Sequence, residues 1–202
     1  MCGIVGYIGD REAADFLMDG LAKLEYRGYD SAGIAVYNDG AIAVRKKAGR
    51  LVNLAEEVKA HPVVGTLGIG HTRWATHGGP SDVNAHPHTD EKGNFAIVHN
   101  GIIENYMELK EELLKKGYHF KSETDTEVVA HLCADMYDGD FTSTVRKVLS
   151  RLRGSYSLVF MCKFEPDKII CSKKDNPLIV GLGQGENYIA SDIPAILSYT
   201  RK

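Results

Sequence analysis

The sequence predicts an α+β fold built on antiparallel sheets. Its central helical segments fall between two groups of strand-like segments. The strands follow one another through short Gly, Asn and Asp turns, such as YNDGA at residues 37–41, instead of regular crossover helices. No linker rich in Pro, Gly or Ser and no repeat divides the chain, so residues 1–202 are predicted to form one domain.

Hydrophobic periodicity predicts the individual elements. Strands are expected at Gly3–Ile8, Ala32–Tyr37, Ile42–Lys47, Gly65–Thr72, Phe95–His99, Ser155–Cys162, Lys168–Cys171, Leu178–Gly181 and Asn187–Ala190. Helices are expected at Ala13–Leu24, Leu51–Ala60, Asn105–Lys116, Asp125–Tyr137 and Thr142–Leu152. Asn105 with Glu108, and Thr124 with Glu127, have the spacing of a capping box, and Gly117 stands where a helix C-cap is expected.

Composition and charge exclude several classes of protein. A hydrophobic fraction of 44% is ordinary for a globular protein. The 24 basic and 27 acidic residues are spread along the chain, so no basic stripe indicates a nucleic-acid partner or a membrane surface. The N-terminus has no basic n-region, and its apolar run is too short and too glycine-rich for a signal peptide or a membrane span. We therefore expect a cytoplasmic protein with neither kind of partner.

Two motifs with a superficial likeness to metal or cofactor sites are rejected on chemical grounds. His86 and His88 flank a proline and lack matching acidic or thiolate partners, so no metal is expected there. The run GLGQGE at residues 181–186 places Glu186 where a GxGxxG fingerprint requires glycine. The sequence thus predicts a protein without a metal or a cofactor.

Cys2 is the candidate nucleophile. The other three cysteines lie in apolar segments, where a free thiol behaves as a small hydrophobic group. Removal of Met1 leaves a free α-amine on the carbon that carries the Cys2 thiol. The reference pKa values are about 7.7–8.0 for the amine and about 8.5 for the thiol, so a neutral amine can accept the thiol proton. One residue then supplies nucleophile and base, unless a cysteine stands at this position by chance.

Five sequence blocks carry a family resemblance. They are CGIVG at residues 2–6, LEYRGYDSAG at 24–33, GHTRWATHG at 70–78, HNGIIEN at 99–105 and SETDTE at 122–127. In this order they resemble the glutaminase half of the glutamine–fructose-6-phosphate aminotransferases, within the class II glutamine amidotransferases. Amidophosphoribosyltransferases share CGI but differ at EYRGYDSAG, and asparagine synthetases lack TRWATHG. The resemblance implies the four-layer αββα sandwich of the N-terminal-nucleophile hydrolases.

The resemblance also implies how a free amino acid is recognised. Arg73 is expected to hold the α-carboxylate of glutamine, a task that suits its planar guanidinium. Asp125 is expected to pair with the α-ammonium, although an acid in the first turn of a helix also has a purely structural explanation. Trp74 is expected in a mobile loop that covers the site, with Thr76 and His77 beside it in contact with substrate.

Asn100 and Gly101 are the expected oxyanion hole, through the Asn100 side-chain amide and the Gly101 backbone N–H. Asn-Gly after an apolar strand is also the strongest short signal for a tight hairpin, so a turn is the alternative. His86 is a further expected substrate contact. It and Arg27, in the YRGYDSAG block, are weaker candidates that have structural explanations too.

The implied reaction is hydrolysis of L-glutamine to glutamate and ammonia through a Cys2 γ-glutamyl thioester. The family passes the ammonia to sugar-phosphate isomerase domains, which convert fructose 6-phosphate into glucosamine 6-phosphate. This chain lacks those domains and stops slightly short of the usual end of the glutaminase domain, and the full-length enzyme is expected to be a homo-oligomer. The alternatives are the glutaminase domain of another class II enzyme such as an amidophosphoribosyltransferase, an N-terminal-cysteine hydrolase of another linear amide, and a non-catalytic module.

Overall fold

The computed structural model describes residues 2–202, and the predicted removal of Met1 lies outside the described residues. The strands are β1 (Gly3–Ile8), β2 (Ser31–Asn38), β3 (Ala41–Ala48), β4 (Leu67–Arg73), β5 (His88–Thr89), β6 (Phe95–Ile103), β7 (Gly154–Cys162), β8 (Ile170–Lys174), β9 (Ile179–Leu182) and β10 (Asn187–Ala190). The helices are α1 (Ala13–Leu24), α2 (Leu51–Ala60), α3 (Tyr106–Lys115), α4 (Glu127–Met136) and α5 (Phe141–Arg151). No helix within this range is long and apolar enough to cross a membrane.

Two antiparallel sheets form the centre of the molecule. The larger has the strand order β3-β2-β4-β1-β10-β9, and the smaller has the order β5-β6-β7-β8. α1 and α2 cover the larger sheet, while α3, α4 and α5 cover the smaller one. The two sheets face each other across a third apolar layer, which includes Ile4, Ile69, Val98 and Val159. This arrangement confirms the predicted α+β class and the four-layer αββα sandwich.

Close packing of α1 depends on two glycines of β4. A Cβ atom at Gly68 would lie 2.8 Å from Leu17 Cδ1, and one at Gly70 would lie 3.3 Å from Leu21 Cδ1. Both leucines are fully buried. The glycines therefore let the apolar stripe of α1 reach the sheet, and β4 is held firmly at the centre of the fold.

The predicted element boundaries differ from the structure where tertiary contacts set them. β1, α1, α2 and β10 begin and end at the predicted residues. β6 continues past the predicted end at His99, because Asn100 pairs with Ser157 and Gly101 with Tyr156 of β7. β5 was not predicted, since two residues are too few to show a periodicity.

Both predicted capping boxes are wrong. Asn105 occupies the N-cap of α3, but its side chain accepts a hydrogen bond from the Arg153 backbone N–H at 2.8 Å and caps no helical N–H. α4 begins at Glu127, and Thr124 lies outside it, where its hydroxyl bonds to His88. The C-cap prediction is confirmed, because Gly117 follows α3 with a φ of 94°, in the left-handed region that suits glycine.

Candidate active site

Eight of the nine predicted site residues line one cavity of about 350 Å³. The eight are Cys2, Arg73, Trp74, Thr76, His86, Asn100, Gly101 and Asp125. The ninth, His77, lies beside the cavity, with its ring packed edge-on against Tyr106 at 5.4 Å between ring centroids. Arg27 also lines this cavity. The structure thus brings together residues that are as far as 123 positions apart in the sequence, Cys2 and Asp125.

Strand alternation directs these groups into the space between the sheets. Ile4 of β1 belongs to the apolar layer between the sheets, and Cys2 is two residues before it, on the same face. Ile69 of β4 also lies in this layer, and His71 and Arg73 follow at the same parity. The cavity therefore lies at one end of the layer between the two sheets. Polar side chains line this end, and apolar side chains fill the rest of the layer.

The Cys2 thiol is half-buried and lies against the backbone of Trp74. The Trp74 N–H donates to Cys2 Sγ at 3.1 Å, and Sγ lies 3.5 Å from the Trp74 carbonyl oxygen. Burial raises the pKa of the Cys2 thiol above its usual value, and the hydrogen bond from Trp74 opposes this effect. A base is therefore needed to generate the thiolate near neutral pH.

Asn100 connects the two sheets directly at the nucleophile. Its Nδ2 donates to the Cys2 carbonyl oxygen at 3.0 Å. Gly101 has a φ of 111°, and a Cβ atom there would lie 2.1 Å from the Ser155 carbonyl oxygen, so only glycine fits. Because both residues continue the pairing of β6 with β7, the hairpin alternative for Asn100-Gly101 is wrong.

The Arg73 guanidinium is buried at the end of β4 and bonded to the loop that follows. It donates to the carbonyl oxygens of Gly78 at 2.9 Å and Gly79 at 3.3 Å, and also to that of His77. The loop that contains the exposed Thr76 is thus held by the same side chain that is predicted to bind a carboxylate. The His77 backbone, rather than its ring, makes the contact with Arg73.

Asp125 lines the cavity beside the smaller sheet, next to the end of β6. The sequence predicted Asp125 in the first turn of a helix, but α4 begins at Glu127 and Asp125 precedes it. The Glu127 carboxylate accepts from the backbone N–H of Ser122 and so fixes the start of the helix. Asp125 Oδ2 accepts from the Ile103 N–H at 2.8 Å and lies 4.0 Å from His99 Nδ1. Burial lowers the pKa of His99 to about 4, so this histidine is neutral near pH 7 and does not neutralise the carboxylate.

Two residues of the YRGYDSAG block, Gly28 and Asp30, contact the loop that contains Trp74. Trp74 is 55% exposed as a residue, and its ring lies so close to Gly28 that a Cβ atom at Gly28 would be 2.8 Å from Trp74 Cε3. The Asp30 carboxylate accepts from the Ala75 backbone N–H. No role for Asp30 was predicted from the sequence, although it belongs to one of the five blocks.

Buried histidines form the floor of the cavity. The His86 ring stacks on the His71 ring, with centroids 4.1 Å apart and an interplanar angle of 13°. Burial lowers the pKa of both side chains, to about 3 for His71 and well below the usual value for His86. Both rings are therefore neutral near pH 7. His71 was also missed by the sequence analysis, although it stands in the GHTRWATHG block, two residues before Arg73.

A larger depression of about 630 Å³ lies elsewhere, beside β3. Two of the acidic residues that line it, Glu57 and Asp82, lie 3.7 Å and 3.4 Å from Lys47 Nζ. A third, Glu127, accepts hydrogen bonds from Ser122. Its acidic groups are thus already paired, and the arrangement around Cys2 remains the stronger candidate for chemistry. In the part of the chain that the structure describes, no three His, Cys, Asp or Glu side chains are grouped as metal ligands.

Comparison with known proteins identifies a sequence family and a fold. The sequence profile described as "Glutamine amidotransferase domain" matches residues 71–198. The chain is 60% identical over 201 residues to glutamine–fructose-6-phosphate aminotransferase [isomerizing] of Caldanaerobacter subterraneus subsp. tengcongensis, and 56% identical over 202 residues to that of Aquifex aeolicus. Both matches cover 100% of this chain, but only 33% and 34% of those proteins. The chain thus spans about a third of the length of these relatives.

Solved structures show the same architecture. Glutamine phosphoribosylpyrophosphate amidotransferase from B. subtilis matches with a TM-score of 0.83 and 30% identity, over 96% of this chain and 43% of that chain. A glutamine aminotransferase class-II domain protein from Silicibacter pomeroyi matches with a TM-score of 0.63 and 16% identity, over 94% and 88% of the two chains. The second likeness concerns the fold alone.

Proposed function

The chain belongs to the glutamine amidotransferase domain family, and from this premise we propose that it hydrolyses L-glutamine to glutamate and ammonia, with Cys2 as the nucleophile. The observation that carries the proposal is the convergence of Cys2, Asn100, Gly101, Arg73 and Asp125 on one cavity of about 350 Å³. A cavity of this size, lined by both a buried guanidinium and a buried carboxyl group, suits a small molecule that carries two opposite charges.

The proposed reaction begins after Met1 is removed. The Cys2 α-amine takes the thiol proton, and Sγ attacks the side-chain amide carbon of glutamine. The amide oxygen gains negative charge and accepts from the Asn100 amide and the Gly101 N–H. The carbon–nitrogen bond then breaks and ammonia leaves, with the proton returned by the α-amine. Water attacks the γ-glutamyl thioester, which releases glutamate and restores the thiol.

Two charged groups are proposed to select free glutamine. Arg73 binds the α-carboxylate alongside the loop carbonyls that it already holds, and Asp125 binds the α-ammonium. Trp74, Thr76 and His77 belong to the loop that covers the bound amino acid, while His86 lines its floor. A glutamine residue within a peptide has neither charge at its α-carbon, so this pair of contacts accounts for selectivity.

For the whole protein, we propose that domains beyond this chain use the ammonia to convert fructose 6-phosphate into glucosamine 6-phosphate, in a cytoplasmic homo-oligomer. The names of relatives that are 56–60% identical support this assignment. An amidophosphoribosyltransferase is the lesser alternative, because the likeness to the B. subtilis enzyme amounts to 30% identity.

The test of the proposed function is hydrolysis of glutamine by the purified chain, whose intact mass first establishes that Met1 is absent. We expect glutamate release from glutamine, much slower release from N-acetylglutamine, and no release by Cys2→Ala. Equal rates for the two substrates would assign the chain to hydrolases of other linear amides. Undiminished glutamate release by Cys2→Ala would rule out the proposed nucleophile.

A further inference from the structure

The His71 ring is hydrogen-bonded to two oxygen atoms of β6 that lie next to the cavity. Its Nε2 lies 2.9 Å from the His99 carbonyl oxygen and 2.9 Å from Asn100 Oδ1. A backbone carbonyl oxygen carries no proton and can only accept. Nε2 therefore carries the proton, and the neutral His71 ring holds its tautomer with Nδ1 unprotonated.

This tautomer fixes the direction of the Asn100 side chain. The Nε2–H of His71 requires an acceptor, so Oδ1 of Asn100 faces His71 and the amide nitrogen faces Cys2. A flipped amide would set its NH₂ group against the Nε2–H and lose both hydrogen bonds. One N–H of Asn100 is used by the Cys2 carbonyl oxygen at 3.0 Å, which leaves the second N–H for the cavity.

The surroundings of His71 hold its ring still. The side chain is buried, with 1% of the residue exposed, and the parallel His86 ring covers one of its faces. Its position on β4 is set by pairing with Ile4 of β1 and Gly33 of β2. Because β4 is paired with a strand on each side, the His71 N–H donor keeps its direction and needs no reorganisation during a reaction.

We propose that His71 is a positioning residue, which orients the Asn100 carboxamide so that its free N–H stabilises the oxyanion formed during glutamine hydrolysis. This inference rests on the proposed function, because it assigns His71 to the same reaction. His71 acts through Asn100 and does not contact the substrate. A residue that only filled the core would affect folding, but it would not affect kcat specifically through Asn100.

The test compares four variants with the parent chain: His71→Leu, His71→Gln, Asn100→Ala and the double variant with His71→Leu and Asn100→Ala. His71→Leu removes the donor at similar volume, and we expect kcat for glutamine hydrolysis to fall roughly 10- to 100-fold with KM within about 3-fold. His71→Gln carries an amide N–H at a similar reach, and we expect it to recover most of the lost kcat. In the Asn100→Ala background, His71→Leu is expected to cause less than about 2-fold further loss.

A second readout separates orientation from collapse of the site. Alkylation of Cys2 by iodoacetamide displaces iodide at carbon and needs no oxyanion donor, so its rate in His71→Leu should stay within about 2-fold of the parent. Tryptic mass spectrometry distinguishes Cys2 from the other cysteines.

The outcomes are distinct. An inactive parent chain without Met1 would overturn the proposed function itself. With an active parent, the inference about His71 is rejected by any one of three results: an unchanged kcat in His71→Leu, an equal loss with and without Asn100, or alkylation that falls in step with kcat.

Discussion

At the scale of single residues, the site depends on buried side chains whose hydrogen-bonding direction is fixed by their neighbours. Asp125 is an example, since 4% of the residue is exposed and one of its oxygens is used by the Ile103 N–H. Its other oxygen is left to meet the α-ammonium in the proposed complex. Because His99 is neutral near pH 7, it does not occupy Asp125 as a cationic partner, and the carboxylate remains available to a cationic group of a ligand.

Asp125→Asn tests this assignment at nearly constant shape. The variant retains an oxygen that can accept from the Ile103 N–H, but it loses the charge that would pair with the α-ammonium. We expect kcat/KM for glutamine to fall roughly 10- to 100-fold, since a hydrogen bond to a charged group is worth about 1.5–3 kcal/mol. N-acetylglutamine has no ammonium, so its kcat/KM should change by less than about 3-fold. Parallel losses for both substrates would contradict the assignment.

At the scale of elements, the sequence predicts best where periodicity is strong. α1 and α2 were predicted with their boundaries because each has a clear apolar stripe. The N-cap side-chain bonds were predicted poorly, because Asn105 and Thr124 have partners in distant segments, Arg153 and His88, which local spacing does not reveal. The same limit applies to the site.

The sequence blocks named the residues around the cavity, but not the contacts that organise them. The direction of Asn100 depends on His71, which reaches it from the other sheet. The loop at Trp74 depends on Asp30, the residue that directly precedes β2. Contacts between separate strands of this kind have no signature in a single sequence.

One helix does have an observed side-chain cap. Asp140 precedes α5 and accepts from the Ser143 N–H at 2.9 Å. We expect Asp140→Ala to lower the free energy of unfolding by about 0.5–2 kcal/mol, and Asp140→Asn, which keeps the acceptor, to cost much less. Urea denaturation at pH 7 measures both. Equal losses for the two variants would mean that the hydrogen bond contributes nothing and that only charge matters.

At the scale of the whole molecule, the buried histidines make stability depend on pH. Burial lowers the pKa of His71 to about 3 and that of His99 to about 4, and it lowers those of His86 and His88 well below the usual value. In the unfolded chain, each histidine takes up a proton near pH 6.5. Below that pH, the unfolded state therefore binds more protons than the folded state, and acid favours unfolding.

We expect the free energy of unfolding to fall steeply as the pH decreases from 6.5 towards 4. Each of the four histidines contributes up to about 1.4 kcal/mol per pH unit within this window. Urea titrations at half-unit steps of pH measure the slope. His88→Gln removes one of the four groups and should reduce the slope of the unfolding free energy against pH by up to about 1.4 kcal/mol per pH unit, which corresponds to one proton. A flat profile between pH 6.5 and pH 4.5 would mean that these rings are protonated in the folded chain.

The layer between the two sheets has a consequence for the reaction itself. Cys2 leads into the larger sheet and Asn100 belongs to the smaller one, yet their atoms meet at 3.0 Å. The side-chain volumes of residues such as Ile4, Ile69, Val98 and Val159 therefore help to set the distance between the Cys2 sulfur and the Asn100 amide, the proposed oxyanion donor. In the proposed reaction, the spacing of nucleophile and oxyanion donor would thus depend on aliphatic side chains of the layer between the sheets, in addition to the residues that line the cavity.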